Sequence, residues 1–461
     1  MMTGKLNLLW PFKKKLTLLL TAALVILSLF VTWPFINNGY PKTDDGSWMI
    51  VRFSASHQAL VSGQFPVRFT QRLNSNYGYP VMNFLYPLPF YLAELPYLIT
   101  RNFTLSLKVL FIVSTVVSTL AMYWALKRKF SNKASLAGSI VYLLFPYRLI
   151  DLYVRGSIGE VVAFMFVPIC MGLIFEISKG KKVFYPVLSY SVALLLISHN
   201  VMAVIFTPLL FILANLYIKH SFKKITTFFF LGVLISTFFW LPALYDLKYV
   251  KLSEIKVSNP QEYLSNILNM FSFIPKTDHL GVYSFLGLLP FFLLITLVVI
   301  ILKNKKDYIL ITILLLSLIS IFLMTTFSKF LWVTTPLTII QFPWRLSAIV
   351  MFTSTLITAI TIEKYKNNIY ITVVILLAMI GALKLLGPAE FISYSDSYYA
   401  TNEDTTTVKD EYMPVWVTEK QLSRANEKFQ ASRNITLLKD ESSTNGKATV
   451  KVQESGILTV N

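Results

Sequence analysis

Two adjacent carboxylates, Asp44 and Asp45, stand between Pro41 and Gly46 in the stretch PKTDDGSW. A carboxylate at the edge of an apolar chain can act as a general base towards a hydroxyl, or bind a divalent cation. Neighbouring loop residues need not point the same way, so one can face a cavity while the other caps a helix. Farther along, FPYRLIDLYVRGSIGE supplies Tyr147, Arg148, Asp151, Tyr153, Arg155 and Glu160. LLLISHNVMAV supplies His199 and Asn200, and IIQFPWRLS supplies Gln341, Trp344 and Arg345. The stretch after the aspartates adds Arg52, His57, Arg68 and Arg72.

Guanidinium is always charged and matches phosphate oxygens two at a time. Arg155 and Arg345, each at the edge of an apolar run among aromatics, are therefore candidates for holding a lipid phosphate or a leaving phosphate. Arg148 is expected to pair with Asp151. His199 interrupts the edge of an apolar run, where a histidine is either a hydrogen-bonded structural residue or part of a cavity wall. The chain carries no phosphate-binding glycine loop, no HExxH and no Gly-x-Ser-x-Gly elbow. Acidic residues in mid-span are few, which argues against an ion-coupled transporter.

The elements that must position these groups follow from composition. Of 461 residues, 55% are hydrophobic and 14% charged, which excludes a water-soluble enzyme. The net charge of +19 would suggest nucleic acid in a soluble protein, but basic residues also collect in the cytoplasmic loops of membrane proteins. Cys170 stands alone, so no disulfide framework is possible. A span needs about 20 mostly apolar residues. That rule predicts eleven, over 16–36, 104–126, 134–150, 160–178, 183–199, 200–218, 225–245, 283–302, 308–327, 346–362 and 369–387.

The first of these reads as a retained span and not as a cleaved leader. Basic clusters at 13–15, 127–133, 179–182, 219–224, 303–306 and 364–366 then fall in the N-terminus and in every second loop. The N-terminus is thereby expected in the cytoplasm and the C-terminus outside.

This pattern holds only if 84–100, with Pro87, Pro89 and Pro96, is not a span. It is read as an interfacial or re-entrant segment on the outer face. The stretch 47–62 reads as a second membrane-parallel amphipathic helix in the same large outer loop, 37–103. All four polar clusters then share the outer face. The fold class is an all-α polytopic membrane protein, organised as a membrane domain over 1–387 and a polar, β-rich outer segment over 388–461. That tail holds eleven acidic and eight basic residues, and its KATVKVQ and ILTV patterns predict strands.

A large first outer loop opening on an Asp pair, within an odd-numbered bundle, resembles the GT-C superfamily of membrane glycosyltransferases. More narrowly, DGSWMIVRFSASHQALVSGQFPVRF, NYGYPVMNFLYPLPFYL, FPYRLIDLYVRGSIGEVVAF, SHN and QFPWR resemble the membrane proteins called 6-pyruvoyl-tetrahydropterin-synthase-related. Glu411-Tyr412-Met413-Pro414 fits the same likeness. Neither a soluble pterin-synthase domain nor a zinc-binding histidine triad accompanies it.

The resemblance implies transfer of a sugar from a polyprenyl-phosphate carrier to a saccharide, lipid or protein acceptor outside the cytoplasm. It places Asp44 or Asp45 on the acceptor or on a divalent metal ion, and Arg155 and Arg345, with Arg148, on the carrier phosphate. Arg52, Tyr153, Glu160, His199 and Gln341 complete the expected binding set. The alternative is a non-enzymatic protein of lipid-linked saccharide transport or envelope assembly, gripping the same lipid. Neither reading involves nucleic acid.

Overall fold

Phe145 precedes Pro146, and a residue before proline is driven out of the helical region. Its ψ of 134° ends one helix, Asn132–Leu144, and a second begins at an angle of 41°. The predicted span 134–150 is thus a bent pair. The same happens within 225–245, where helices starting at Phe222 and Thr237 meet at 66°. There Ser236 turns its hydroxyl back to the Gly232 and Val233 carbonyls (3.2 and 2.9 Å), competing with the helix ladder.

The computed structural model describes residues 4–218, 221–253, 260–275, 279–303, 307–407, 410–417, 436–437, 450–452 and 457–460. Among these, helices predominate and strands are short. Six helices are long and apolar enough to cross a membrane: Phe103–Lys127, Ile158–Ser178, Asn200–Tyr217, Gly281–Lys303, Pro343–Tyr365 and Asn368–Leu385. Counting each bent pair as one span gives up to eight. The remaining predicted spans fall on Lys15–Val31, Phe184–Leu196 and Tyr308–Met324, which are apolar but shorter. The sequence stretches 47–62 and 84–100 form the helices Gly46–Val61 and Leu88–Thr100.

The chain gathers into two compact units. The first comprises Met1–Ile50, Leu85–Trp240 and Ser258–Asp396, the second Val51–Phe84, Leu241–Val257 and Ser397–Asn461. In the first, helices approach closely at small residues, as membrane helices do. A Cβ on Gly232 would lie 2.8 Å from the Ser189 carbonyl oxygen, and one on Gly172 would lie 2.0 Å from the Trp124 ring.

The loops 127–133, 179–182 and 364–366 meet at one end of this unit. Arg128, Lys179 and Lys181 converge on Glu176, with Arg128 Nε 3.7 Å and Lys179 Nζ 3.3 Å from its Oε1. The Ser131 amide donates to Glu363 (2.7 Å), Lys133 reaches Asn368 (3.4 Å), and Lys129 sits 3.7 Å over the Tyr217 ring. Lys219 and 304–306 lie outside the described residues. Glu160, at the other end of the 21-residue helix Ile158–Ser178, is about 25 Å away along the axis.

At that other end the Lys108 ammonium, one turn into helix 103–127, binds the Asn37 and Gly39 carbonyls (2.6 and 3.0 Å). The Phe103 amide donates to Asp396 (2.8 Å). The segment leaving the first helix and the segment entering the next long one therefore lie side by side.

In the second unit, Arg72 binds Gln58 (2.9 Å), Ser54 (2.7 Å) and the Val51 and Tyr399 carbonyls (both 3.2 Å). Burial lowers its guanidinium to about 10. Tyr412 of the Glu-Tyr-Met-Pro motif stacks on Phe84 (5.0 Å) and donates its amide to the Tyr79 hydroxyl (3.0 Å). Burial pushes the Tyr412 phenol up to about 12, so it serves as a neutral ring. A three-stranded sheet joins Thr436–Leu437, Ile457–Val460 and Val450–Val452 in that order. Two of these strands lie within the alternating KATVKVQ and ILTV stretches.

Candidate functional site

Thr43 is the pivot of the aspartate loop. A Cβ on Gly46 would lie 2.4 Å, and one on Gly156 2.2 Å, from its hydroxyl oxygen. Gly156 also has φ +68°, a conformation open to glycine at little cost. Only two glycines let the loop settle against the end of the preceding turn. The contact is sealed by backbone: the Asp44 amide donates to the Val154 carbonyl (3.0 Å), and the Asp45 amide to the Arg155 carbonyl (2.9 Å). Upstream, Tyr40–Pro41 pairs antiparallel with Phe391–Ile392, and the Lys42 amide donates to the Glu390 carbonyl (2.9 Å).

Residues Asp151–Arg155 form a single π-helical turn closed by Gly156, a form frequent at functional sites. In this turn Arg155 Nη1 lies 2.6 Å from Asp151 Oδ1. The same nitrogen is 2.7 Å from Glu160 Oε1. Glu160, at the first turn of helix 158–178 and wholly buried, is the hub. Tyr147 donates its hydroxyl to Oε2 (2.6 Å), while Arg345 Nε and His199 Nε2 stand 3.4 and 3.7 Å from Oε1. The low-dielectric surroundings strengthen each attraction, provided the charges stay matched.

His199 caps the helix Asn200–Tyr217, its Nδ1 accepting the Met202 amide (3.2 Å). In the neutral ring that leaves the proton on Nε2, facing Glu160. Tyr86 covers the imidazole at 4.8 Å, and a Cβ on Gly159 would lie 2.3 Å from the Tyr86 ring.

Arg345 is held from a strained turn. Gln341 has φ 66° and ψ −50°, with the Phe342 amide donating across it to the Ile340 carbonyl (2.8 Å). Such a three-residue turn with positive φ is rare for a residue bearing a Cβ. The Ile340 carbonyl and the Gln341 amide oxygen both accept from Arg345 Nη1 (3.1 and 2.5 Å).

An aromatic stack joins the arginine to the aspartate loop. The Arg345 guanidinium lies 5.1 Å over Phe342, which stacks on Trp344 (4.3 Å), which stacks on Tyr283 (4.6 Å). Tyr283 donates its hydroxyl to Asp44 Oδ2. Asp45 lies within electrostatic range of Arg155.

The first unit thus brings together Asp44, Asp45, Arg155, Glu160, His199, Gln341 and Arg345. Asp151, expected to pair with Arg148, pairs with Arg155 because the π turn sets those two on one side. Arg148 instead binds the Tyr142 carbonyl (3.0 Å) and Ser118 (2.7 Å), with its guanidinium 4.4 Å over the Tyr142 ring. Tyr153 donates to the Val31 carbonyl and stacks on Phe35. Arg52 belongs to the second unit, where its Nε binds Thr406 (3.0 Å). Among the described residues, no group of three or more His, Cys, Asp or Glu side chains is placed to hold a metal ion. Tyr283 was not legible beforehand, since a tyrosine at a span edge reads as interfacial belt.

A family model described as "6-pyruvoyl-tetrahydropterin synthase related domain; membrane protein" matches residues 82–390. An uncharacterized protein of Lactococcus lactis subsp. cremoris (strain MG1363) is 24% identical over 242 residues, which cover 49% of this chain and 39% of that protein. The chain therefore spans well under half of that relative. Among solved structures, the archaeal oligosaccharyltransferase AglB from Archaeoglobus fulgidus, in complex with an inhibitory peptide and a dolichol-phosphate, matches with a TM-score of 0.48 and 11% identity. That match covers 85% of this chain and 57% of the archaeal one.

Proposed function

The chain belongs to the 6-pyruvoyl-tetrahydropterin synthase related family of membrane proteins, and on that footing we propose that it is a membrane glycosyltransferase using a polyprenyl-phosphate-linked sugar. The acceptor is a saccharide, lipid or protein on the extracytoplasmic side. One observation carries the reading: the amides of Asp44 and Asp45 are bonded to the carbonyls of Val154 and Arg155, while Arg155 and Arg345 converge on Glu160. Carboxylates that can deprotonate a hydroxyl thus stand beside guanidiniums that can bind a phosphate, although the sequence separates them widely.

In this mechanism Asp44 or Asp45 takes the proton of the acceptor hydroxyl as its oxygen attacks the anomeric carbon in line. The bond from that carbon to the lipid phosphate breaks, inverting the centre, and Arg155 and Arg345 stabilise the departing phosphate. Glu160 and Gln341 hold the guanidiniums, and His199 stands beside Glu160. An implied divalent ion would be held by Asp44 and Asp45, where it would screen charge on the phosphate. Eleven crossings with a cytoplasmic N-terminus and an extracytoplasmic C-terminus would follow from the alternation of basic loops, and on that reading the aspartates face the outside.

The test is sugar release from prenyl-phosphate sugars by Asp44→Asn, Asp45→Asn and Arg345→Ala in proteoliposomes. Loss of a phosphate contact should lower turnover ~100-fold or more. Wild-type turnover in all three variants would sink the mechanism. Vesicle-to-medium movement of the intact lipid-linked sugar without cleavage would favour the transport alternative.

A further inference from the structure

We infer that the adjacent aspartates divide the work, with Tyr283 positioning Asp44 for chemistry and Asp45 holding the helix behind it. The inference rests on the glycosyl-transfer reading for the chemistry given to Asp44. Its grounds are three features of the loop.

First, the carbonyl of Asp45 accepts the Met49 amide (2.9 Å), and the helix runs from Gly46 to Val61. Asp45 therefore occupies the N-cap position through its backbone carbonyl, which sets its charge at the positive end of the helix dipole. Second, Asp44 is the exposed member of the pair and Asp45 the half-buried one, so an incoming hydroxyl meets Asp44 first. Third, the Tyr283 hydroxyl donates to Asp44 Oδ2 from a ring stacked on Trp344 at 4.6 Å.

A donor fixed in this way does two things. It selects one orientation of the Asp44 carboxylate, leaving Oδ1 to take the acceptor proton. It also stabilises the ionised form, which a base must be in before it can accept a proton. The stack continues through Trp344 and Phe342 to Arg345, so the carboxylate is set relative to the guanidinium proposed to meet the leaving phosphate. Asp45 has the opposite assignment, with its amide on the Arg155 carbonyl and its own carbonyl in the helix.

The full chain, purified in detergent, tests this with Tyr283→Phe, Asp44→Asn, Asp45→Ala and Asp45→Ser. The probe is a set of farnesyl-phosphate-linked hexoses and pentoses, with release of farnesyl phosphate as readout. Tyr283→Phe keeps the stacked ring, and should lower kcat about 10- to 100-fold with KM little changed. It should also move the acid limb of the pH–rate profile to higher pH, a change that general loosening of the fold would not produce. Asp45→Ala should lower the melting temperature and Asp45→Ser should restore it, whereas Asp44→Asn should melt like the wild type.

An unchanged kcat and pH profile in Tyr283→Phe overturns the positioning role. Equal melting of Asp45→Ala and wild type overturns the capping role. If the wild type cleaves none of the probes, glycosyl transfer fails instead. The Asp44–Tyr283 link is then judged by melting of Tyr283→Phe, Asp44→Ala and their double variant, non-additive shifts upholding it and additive shifts overturning it.

Discussion

At the scale of the residue, Glu160 decides more than either arginine. Its carboxylate receives Tyr147, Arg155 and Arg345 while fully buried. Removing one member of a buried ion pair typically costs about 3–5 kcal/mol, since the other charge is left uncompensated. Glu160→Gln keeps the shape and deletes the charge, so it should unfold in detergent at a clearly lower temperature than the wild type. Unchanged melting would show that the guanidiniums do not depend on it. Asp44, Arg155 and Arg345 were legible as types, because charged groups at span edges demand a reason. Their partners were not, since Tyr283 and Tyr147 look like any interfacial tyrosine until the fold aims their hydroxyls.

At the scale of the element, the π turn Asp151–Arg155 and the two glycines beside it place the site. Gly156→Ala would add the cost of a left-handed backbone to a collision with Thr43, about 2–4 kcal/mol together. Thr43→Ala in the same chain should recover only the steric share, and thermal unfolding of the single and double variants separates the two. In the second unit, Arg72→Ala removes a guanidinium that binds two side chains and the Val51, Tyr399 and Ala400 carbonyls. Charged hydrogen bonds contribute about 1.5–3 kcal/mol each, less the solvation regained. A loss near 3 kcal/mol should appear as a lower unfolding midpoint. Periodicity predicted the helices, but not their breaks at Phe145-Pro146 and Ser236, nor the pairing of Tyr40–Pro41 with Phe391–Ile392.

At the scale of the whole molecule, the charge asymmetry yields a topology experiment. With Cys170 replaced by alanine, a cysteine at Lys42 should react with an impermeant maleimide added to intact cells, and one at Lys182 should not. The reverse pattern inverts the proposed orientation. A reporter fused after Phe130 should likewise report the cytoplasm, and an outside signal there would make 84–100 a crossing. The sequence by itself determined the class of protein, the apolar stretches, the alternation of basic loops and the residue types worth watching. Those follow from composition and period, which act locally along the chain. Only the tertiary structure decided that Arg155 pairs with Asp151, that Arg148 turns to Tyr142 and Ser118, and that Tyr283 meets Asp44. Such pairings depend on which helix ends meet, and residues 239 positions apart have no local signal to announce that they will touch.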